Sequence, residues 1–510
     1  MSRQTAYLRY QSDMMLYSRD VVGLPLYPYQ VEWTNYLLDV VSNRRNETIV
    51  VEQARQSGKN EGSAQLETAI LAKFGTLGGG IVKCAPTWKP QIINSKERFK
   101  TRSEAVMKRL SFLRFRPTEG FIYKCNNAAL YFLSADSEAN VSGATASLLL
   151  EVDESQDVDI ATYDKSFSPM RASTGAPEAH YGTTWSDSTL LESKKRAIEN
   201  GIVKGRYFRV TPEIIAPCNP RYGDFVDSEV RRLGREHPLI KTQYFLELLA
   251  NAGRMLSLQQ LRLMCGNHTR KTARTTEAQI VAGLDFAGGD ESAGQLQSLI
   301  NKSDRDSVAL TIGEATWVDI APGIVEPHIR VLDRYEWTNQ DPTSLHSALY
   351  AILQDKWKVN RLHCDATGIG ATSTAFLAKA LNTPSKERVT GVTFDAAWTA
   401  HSRLAFQFLA SVGGGRLWEY KTDFDQIQIA GQKIPNEHNP DQHAWFQYGH
   451  ARLNAKESKK VKAYVPDSEG HDDLLISTML MVDAAYNVGK PQQMNAGNVN
   501  FYGNNNNIRS

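Results

Sequence analysis

The sequence predicts two consecutive α/β domains separated by a small helical segment. Three observations predict this. The chain has 510 residues, too many for one hydrophobic core. Short apolar β-type runs alternate with helical stretches from about residue 26 to 185, and a second series begins at residue 280. Strands covered on both faces read as continuous apolar runs of this kind, and their alternation with helices marks α/β architecture.

The predicted strands of the first domain, residues 1–215, are "TIVVEQA" (48–54), "GGIVKCAP" (79–86), "AALYFLSA" (128–135), "SLLLEVDE" (147–154) and "AHYGTTW" (179–185). Residues 216–265 are mainly helical and predict a small lid. "GNHTRKTARTTEAQ" (266–279) is polar and basic without apolar period, which predicts a linker. The second domain, 280–487, opens with three consecutive strands: "IVAGLDFA" (280–287), "SVALTIGEATW" (307–317) and "HIRVLDRYEW" (328–337). A helix over 343–357, a strand "VNRLHCDA" (359–366) and a closing helix from "HDDLLISTMLMVDAAY" (471–486) follow. Residues 488–510 are rich in Asn, Gly and Gln and predict a disordered tail.

Composition narrows the class. Charged residues make up 22% and hydrophobic residues 41%, an ordinary globular mix. A net charge of +2 does not announce a nucleic-acid binder, though it leaves a local basic groove open. The five cysteines (Cys84, Cys125, Cys218, Cys265 and Cys364) are odd in number and far apart, and none forms a C-x-x-C. They read as reduced thiols, with neither a disulfide framework nor a zinc site. The N-terminus lacks the apolar core of a signal peptide, and no run of about 18 apolar residues predicts a membrane span.

The first chemical motif is "VVEQARQSGKNEGS" (50–63), set between a predicted strand and a predicted helix. It is an edited form of the phosphate-binding (Walker A) pattern G-x-x-x-x-G-K-[ST]. Gly58 and Lys59 are in place, Gln53 replaces the first glycine, and Asn60 stands where a Mg-binding Ser or Thr belongs. In such a loop the backbone N–H groups, here of Arg55, Gln56, Ser57 and Gly58, cradle the phosphates while the lysine reaches the terminal ones. A Walker B-like strand, "SLLLEVDE", ends in Asp153 and Glu154 about 95 residues later. In a nucleoside triphosphatase the first carboxylate holds the ATP-bound Mg²⁺ and the second polarises the attacking water. An acidic pair beginning a polar loop is the bland alternative, which weakens once the Lys59 loop is considered with it. Gln30, in "LYPYQVEW", can both donate to and accept from an adenine edge. Gly182, Thr183 and Thr184, in "YGTTW", form a loop suited to sensing the γ-phosphate and coupling it to motion. These features place the first domain with the P-loop NTPases of ASCE (RecA-like) type.

The second domain carries Asp285 in its first strand, Asp365 at the end of a later strand, and Asp472 and Asp473 at the start of its last helix. That order matches the metal site of the RNase H-like fold. Hard oxygen ligands suit Mg²⁺ or Mn²⁺. Two such ions about 4 Å apart can activate water and stabilise the leaving oxygen of a phosphodiester. The last helix is apolar on nearly every face, so periodicity does not choose between Asp472 and Asp473. Asp290 is a further candidate ligand or a solvated loop residue. Arg403, Lys456, Lys459, Lys460 and Lys462 are candidates for DNA phosphate contacts, with a solvated surface as the equal alternative.

With these motifs in order ("ARQSGKNE", "LLLEVDE", "GTT", "LDFA", "DATGIG", "GHDD"), the chain resembles the large terminase subunit of tailed bacteriophages over about residues 20–487. Members of that family often lack the first loop glycine and carry an arginine before the lysine, as Arg55 stands here. The resemblance implies ATP-driven translocation of double-stranded DNA through a portal into a procapsid, with endonuclease cuts of concatemeric DNA. It implies ATP and Mg²⁺ as cofactors, with Mn²⁺ as an alternative in the nuclease site. The implied partners are the portal protein, a small terminase subunit and further copies of this chain in a ring. The ring is expected to be a pentamer during packaging, and the isolated chain a monomer. The expected location is the cytoplasm of the infected host and not the mature virion. Two departures stand out. Asn60 replaces the usual hydroxyl residue, and "SEANVSGATASLLLEVDE" lacks the arginine that often acts on a neighbouring subunit's ATP, leaving Arg109, Arg114 and Arg116 as upstream candidates. A helicase–nuclease of DNA repair would carry a second motor-like domain of about 150 residues, where this chain has about 80 between "GTT" and the linker. An inactive assembly protein is favoured by Asn60 and opposed by intact Lys59, Asp153, Glu154 and the nuclease-domain aspartates.

Overall fold

The computed structural model describes residues 10–136, 143–249, 253–275, 277–286, 307–321, 323–338, 341–368, 370–421, 439–456, 459–466 and 468–489. Asp290 and most of the predicted tail lie outside them.

The first domain is built on an eight-stranded sheet. Its strands are β1 (Thr48–Gln53), β2 (Gly79–Ala85), β3 (Phe115–Glu119), β4 (Ile122–Cys125), β5 (Ala128–Ser134), β6 (Leu149–Val152), β7 (Glu178–Gly182) and β8 (Gly205–Val210). Their order is β3-β4-β5-β2-β6-β7-β1-β8. The six strands from β5 to β8 in that order are parallel, while β3 and β4 add an antiparallel edge. β1 and β6 are buried along their whole lengths, which is why they read as mainly apolar runs, with Glu52, Gln53 and Glu151 buried among them. β7 lies between β1 and β6, the strand order of the ASCE class expected for this domain. The C-terminal ends of β1, β6 and β7 therefore share one edge, where ligands of open α/β sheets bind.

The second domain contains β10 (Gln279–Asp285), β11 (Val308–Ala321), β12 (Ile324–Trp337), β13 (Arg361–Asp365), β14 (Val389–Val392) and β15 (Leu417–Trp418), in the order β14-β13-β10-β11-β12-β15. β10, β11 and β12 form an antiparallel meander, and β13 runs parallel to β10 on its other side. This is the RNase H-like arrangement. The helix Asp473–Asn487 lies on β10 so closely that a Cβ on Gly283 would sit 2.0 Å from the Ser477 carbonyl oxygen. Only glycine permits that approach.

A third, three-stranded sheet changes the expected division of the chain. β9 (Gly253–Arg254) pairs with β16 (Arg452–Ala455), which pairs with β17 (Val461–Tyr464). The segment 216–265 accordingly divides. Tyr222, Val226, Ile240 and Tyr244 pack with Tyr29 and Ala54 beside the phosphate loop. Met255, Leu256, Leu261 and Met264 join the core of the second domain. The expected linker is also seated on that domain: Gly266 N donates to Glu419 O, and Arg270 pairs with buried Asp333 at 2.7 Å.

Candidate functional site

The loop after β1 is held by its carbonyls. Tyr222 Oη donates to Arg55 O (2.9 Å), Tyr29 Oη and Gln53 Nε2 donate to Ser57 O (2.9 and 3.0 Å), and Gln30 Nε2 donates to Gly58 O (2.8 Å). Gln56 and Gly58 have φ 61° and 90°, the backbone form that turns N–H groups toward an anion, but of the four N–H groups expected to cradle phosphate, Arg55 N is given to Gln243 O (2.8 Å) and Ser57 N to Ala54 O (3.3 Å). Gln53, which replaces the first glycine of the motif, thus braces the loop. The helix Lys59–Phe74 starts directly after it, with the positive end of its dipole at the loop.

This loop opens on a cavity of about 830 Å³, to which Lys59, Asn60, Asp153, Glu154 and Thr183 contribute. Lys59 Nζ lies 2.8 Å from Glu154 Oε1 and 3.4 Å from Asp153 Oδ1. Burial raises the Glu154 carboxyl, but the Lys59 ammonium outweighs it and holds the group at about 2. Burial works to lower the Lys59 ammonium, and the two carboxylates win, raising it. Glu154 itself has φ 49°. Gln156 bridges the cavity floor: Nε2 donates to Glu154 Oε2 (2.6 Å) and Asp157 Oδ2 (3.1 Å), and Oε1 accepts from Thr183 N (3.2 Å). A Cβ at Gly182 would lie 2.0 Å from Gln156 Oε1, so glycine there lets the bridge form.

The second cavity, about 490 Å³, is lined by Asp285, Asp365, Asp472 and Asp473. Adjacent parallel strands explain the first two: Leu284 pairs with Cys364, so Asp285 and Asp365 leave the sheet side by side. The helix laid over Gly283 delivers the other two. Asp473 Oδ2 accepts from Ser307 N (2.9 Å) and Ser307 Oγ (2.6 Å). Asp472 caps that helix, and burial together with the neighbouring Asp473 pushes its carboxyl up to about 6, against Lys462. Burial also pushes Asp365 up, opposed by hydrogen bonds from Thr367. Among the described residues, no three His, Cys, Asp or Glu groups form a ready-made metal-ligand set. The four carboxylates share a cavity without closing on one point. An all-oxygen donor set fits a hard divalent cation, whose charge would relieve the repulsion of Asp472 by Asp473.

No protein-family model matches the chain, and no curated protein matches it. Solved structures similar to it are large terminases. One, from a thermophilic bacteriophage, is 11% identical at a TM-score of 0.46, covering 90% of this chain and 98% of that one. The HK97 bacteriophage large terminase is 13% identical at 0.39, covering 95% and 100%. The large terminase nuclease from thermophilic phage G20c, solved with bound magnesium, is 11% identical at 0.30, covering 46% and 98%.

The remaining sequence candidates are placed differently. Gln30 is buried, and its amide is used between Tyr27 N and the Gly58 carbonyl, so it braces the loop rather than facing the cavity. The basic residues expected along DNA do not form a track. Arg403 pairs with buried Asp483 (3.0 Å), Lys460 donates to Thr399 Oγ1 (2.8 Å), and Lys459 reaches Asp157 (2.8 Å) at the first cavity. Lys459 alone of the three reaches the first domain, while Arg403 and Lys460 are engaged within the second. Arg109 Nη1 donates to Val21 O (3.2 Å) and Arg114 Nη1 to Leu113 O (3.2 Å), while Arg116 lies on edge strand β3. Sequence reasoning missed Gln156 and Asp157, although they follow Glu154 directly. It also missed Gln243, whose carbonyl accepts from Arg55 N (2.8 Å). Among the described residues no helix is long and apolar enough to cross a membrane.

Proposed function

We propose that this chain is the large subunit of a tailed-phage terminase, an ATPase that translocates double-stranded DNA and a metal-dependent endonuclease that cuts it. The observation that carries this reading is the presence in one chain of two separate cavities. One has a phosphate loop with Lys59, Asp153 and Glu154, and the other has four aspartates, two at strand ends of an RNase H-like sheet and two at the start of the helix laid over it.

In the ATPase reaction the phosphate loop and Lys59 bind the phosphates of ATP, and Asp153 and Asn60 would hold its Mg²⁺. Lys59 exchanges Glu154 for phosphate as the nucleotide arrives. Glu154, ionised at neutral pH, is then free to orient and accept a proton from the attacking water. Gln156 passes the position of Glu154 to the Thr183 backbone. In the nuclease reaction Asp285, Asp365 and Asp472 would hold Mg²⁺ or Mn²⁺, with Asp473 fixed by Ser307 beside them. Bound metal supplies an activated water and stabilisation of the leaving oxygen. The accompanying partners are the portal protein, a small terminase subunit and further copies in a ring, proposed as a pentamer. The setting is the cytoplasm of the infected host, with the chain absent from the mature virion. A repair helicase–nuclease is less well supported, because among the described residues only one of the two large sheets carries a phosphate loop.

The test uses the full chain. DNA-stimulated ATP hydrolysis and Mg²⁺- or Mn²⁺-dependent plasmid cleavage are both expected from one preparation. A chain with neither activity would remove the proposal.

A further inference from the structure

The β16–β17 hairpin contributes residues to both cavities. The hairpin's strands belong to the second cavity: Asn454 pairs with Lys462, and these two, with Tyr464, line it beside the aspartates. β17 is tied to the helix Thr399–Gly413 by Ser402 Oγ, which donates to Val461 O (3.0 Å) and accepts from Val461 N (2.7 Å). Lys456 Nζ donates to Ala396 O (2.7 Å) and lies 4.2 Å from the Trp398 ring centroid, another lining residue. The hairpin is thus tied to the second domain at Val461 and Lys456.

Its far end belongs to the first cavity. Lys459 Nζ lies 2.8 Å from Asp157 Oδ2, and Asp157 is linked by Gln156 to Glu154. Lys456 O accepts from Trp185 Nε1 (2.7 Å), and Trp185 is two residues beyond Thr183, whose N–H meets the same Gln156. Trp185 is buried in the core that holds Val461 and Ala463. The connection is held at two points, one on the carboxylate cluster and one on the coupling loop. When Lys59 turns to phosphate, Lys459 is the cation left on that cluster.

Resting on the reading above, we propose that the β16–β17 hairpin couples the two sites. Lys459 acts as a positioning residue that sets Glu154 through Asp157 and Gln156, and the nucleotide state is transmitted along the hairpin to Lys462 at the nuclease cavity. Hydrogen-bonded chains with two arrangements can carry such coupling.

The full chain tests this with Lys459→Met and Asp157→Asn, singly and together, and with Lys459→Arg. Each single change is expected to lower ATPase kcat roughly tenfold with KM for ATP nearly unchanged, since misplacement rather than binding is affected. The double change should be no worse than either single one, and Lys459→Arg should recover most of the rate. Hydrogen exchange of residues 452–464 should respond to a non-hydrolysable ATP analogue in the wild type and lose that response in Lys459→Met. Additive losses, an unchanged kcat, or a response that survives Lys459→Met would overturn the coupling alone. A wild-type chain that hydrolyses no ATP would overturn the motor reading, and this inference with it.

Discussion

In the first cavity, Asp153 and Glu154 face a cation of the chain's own, Lys59, at 3.4 and 2.8 Å. In the second, four aspartates share the lining, and Lys462 is the one Lys or Arg among the described lining residues. The consequence is opposite in sign: Glu154 is held at about 2, whereas Asp472 is pushed up to about 6. A site whose own lysine balances its carboxylates is stable while waiting for an anionic substrate, to which that lysine can be handed over. A site with unbalanced carboxylates is set up for cations. Carboxylates in the two cavities are prepared for different ligands by their neighbours.

The comparison can be broken most strongly at Lys59. Lys59→Met is expected to lower ATP hydrolysis by about a thousandfold, as loss of a phosphate-stabilising charge does, while metal-dependent DNA cleavage persists. It should also destabilise the chain by roughly 1–3 kcal/mol in denaturant unfolding, because two carboxylates lose their cation. Gly283→Ala attacks the geometry that assembles the second cavity. A Cβ there meets the Ser477 carbonyl at 2.0 Å, so a loss of about 1–3 kcal/mol and a lower Tm are expected.

Asp472→Asn sharpens the contrast because its sign is reversed. Removing one of the repelling charges should stabilise the metal-free chain by about 1 kcal/mol. It should also shrink the rise in Tm that Mg²⁺ or Mn²⁺ gives the wild type, since a ligand stabilises only by what it binds. Equal metal-induced shifts in both chains would remove Asp472 from the ligand set. The smallest effect is expected at Asn60. Asn60→Thr restores the hydroxyl of the usual phosphate loop, and exchanging one neutral oxygen ligand for another should change KM for Mg-ATP within about fivefold, the scale of one hydrogen bond.

Much of this architecture is legible locally. β1, β2, β5, β6 and β7 are apolar runs because they are covered on both faces, and β10, β13 and the last helix announce themselves in the same way. β8 is missed because it is an edge strand whose residues alternate in burial along "GRYFRV", and β3 carries Pro117 at the opposite edge. The carboxylates at strand ends can be read from spacing, since strand order converts position in the chain into position along one edge. What spacing cannot show is contact between distant segments. Lys459 and Asp157 are 302 positions apart, and nothing local distinguishes Lys459 from its chain neighbour Lys460. The hydrogen bonds from Ser307 to Asp473 are equally hidden, because Ser307 stands 166 positions away at another strand's entrance. The role of Gln53 emerges only once its amide is seen on the Ser57 carbonyl.

The central claim is that one chain holds two sites, each with its own set of catalytic side chains. It is tested most directly by measuring ATP hydrolysis and plasmid cleavage on the same preparations of the wild type, Glu154→Gln and Asp365→Ala. Glu154→Gln should lose ATP hydrolysis and keep cleavage, and Asp365→Ala should lose cleavage and keep ATP hydrolysis. Survival of cleavage in Asp365→Ala, or loss of both activities in either variant while it remains folded, would contradict the account.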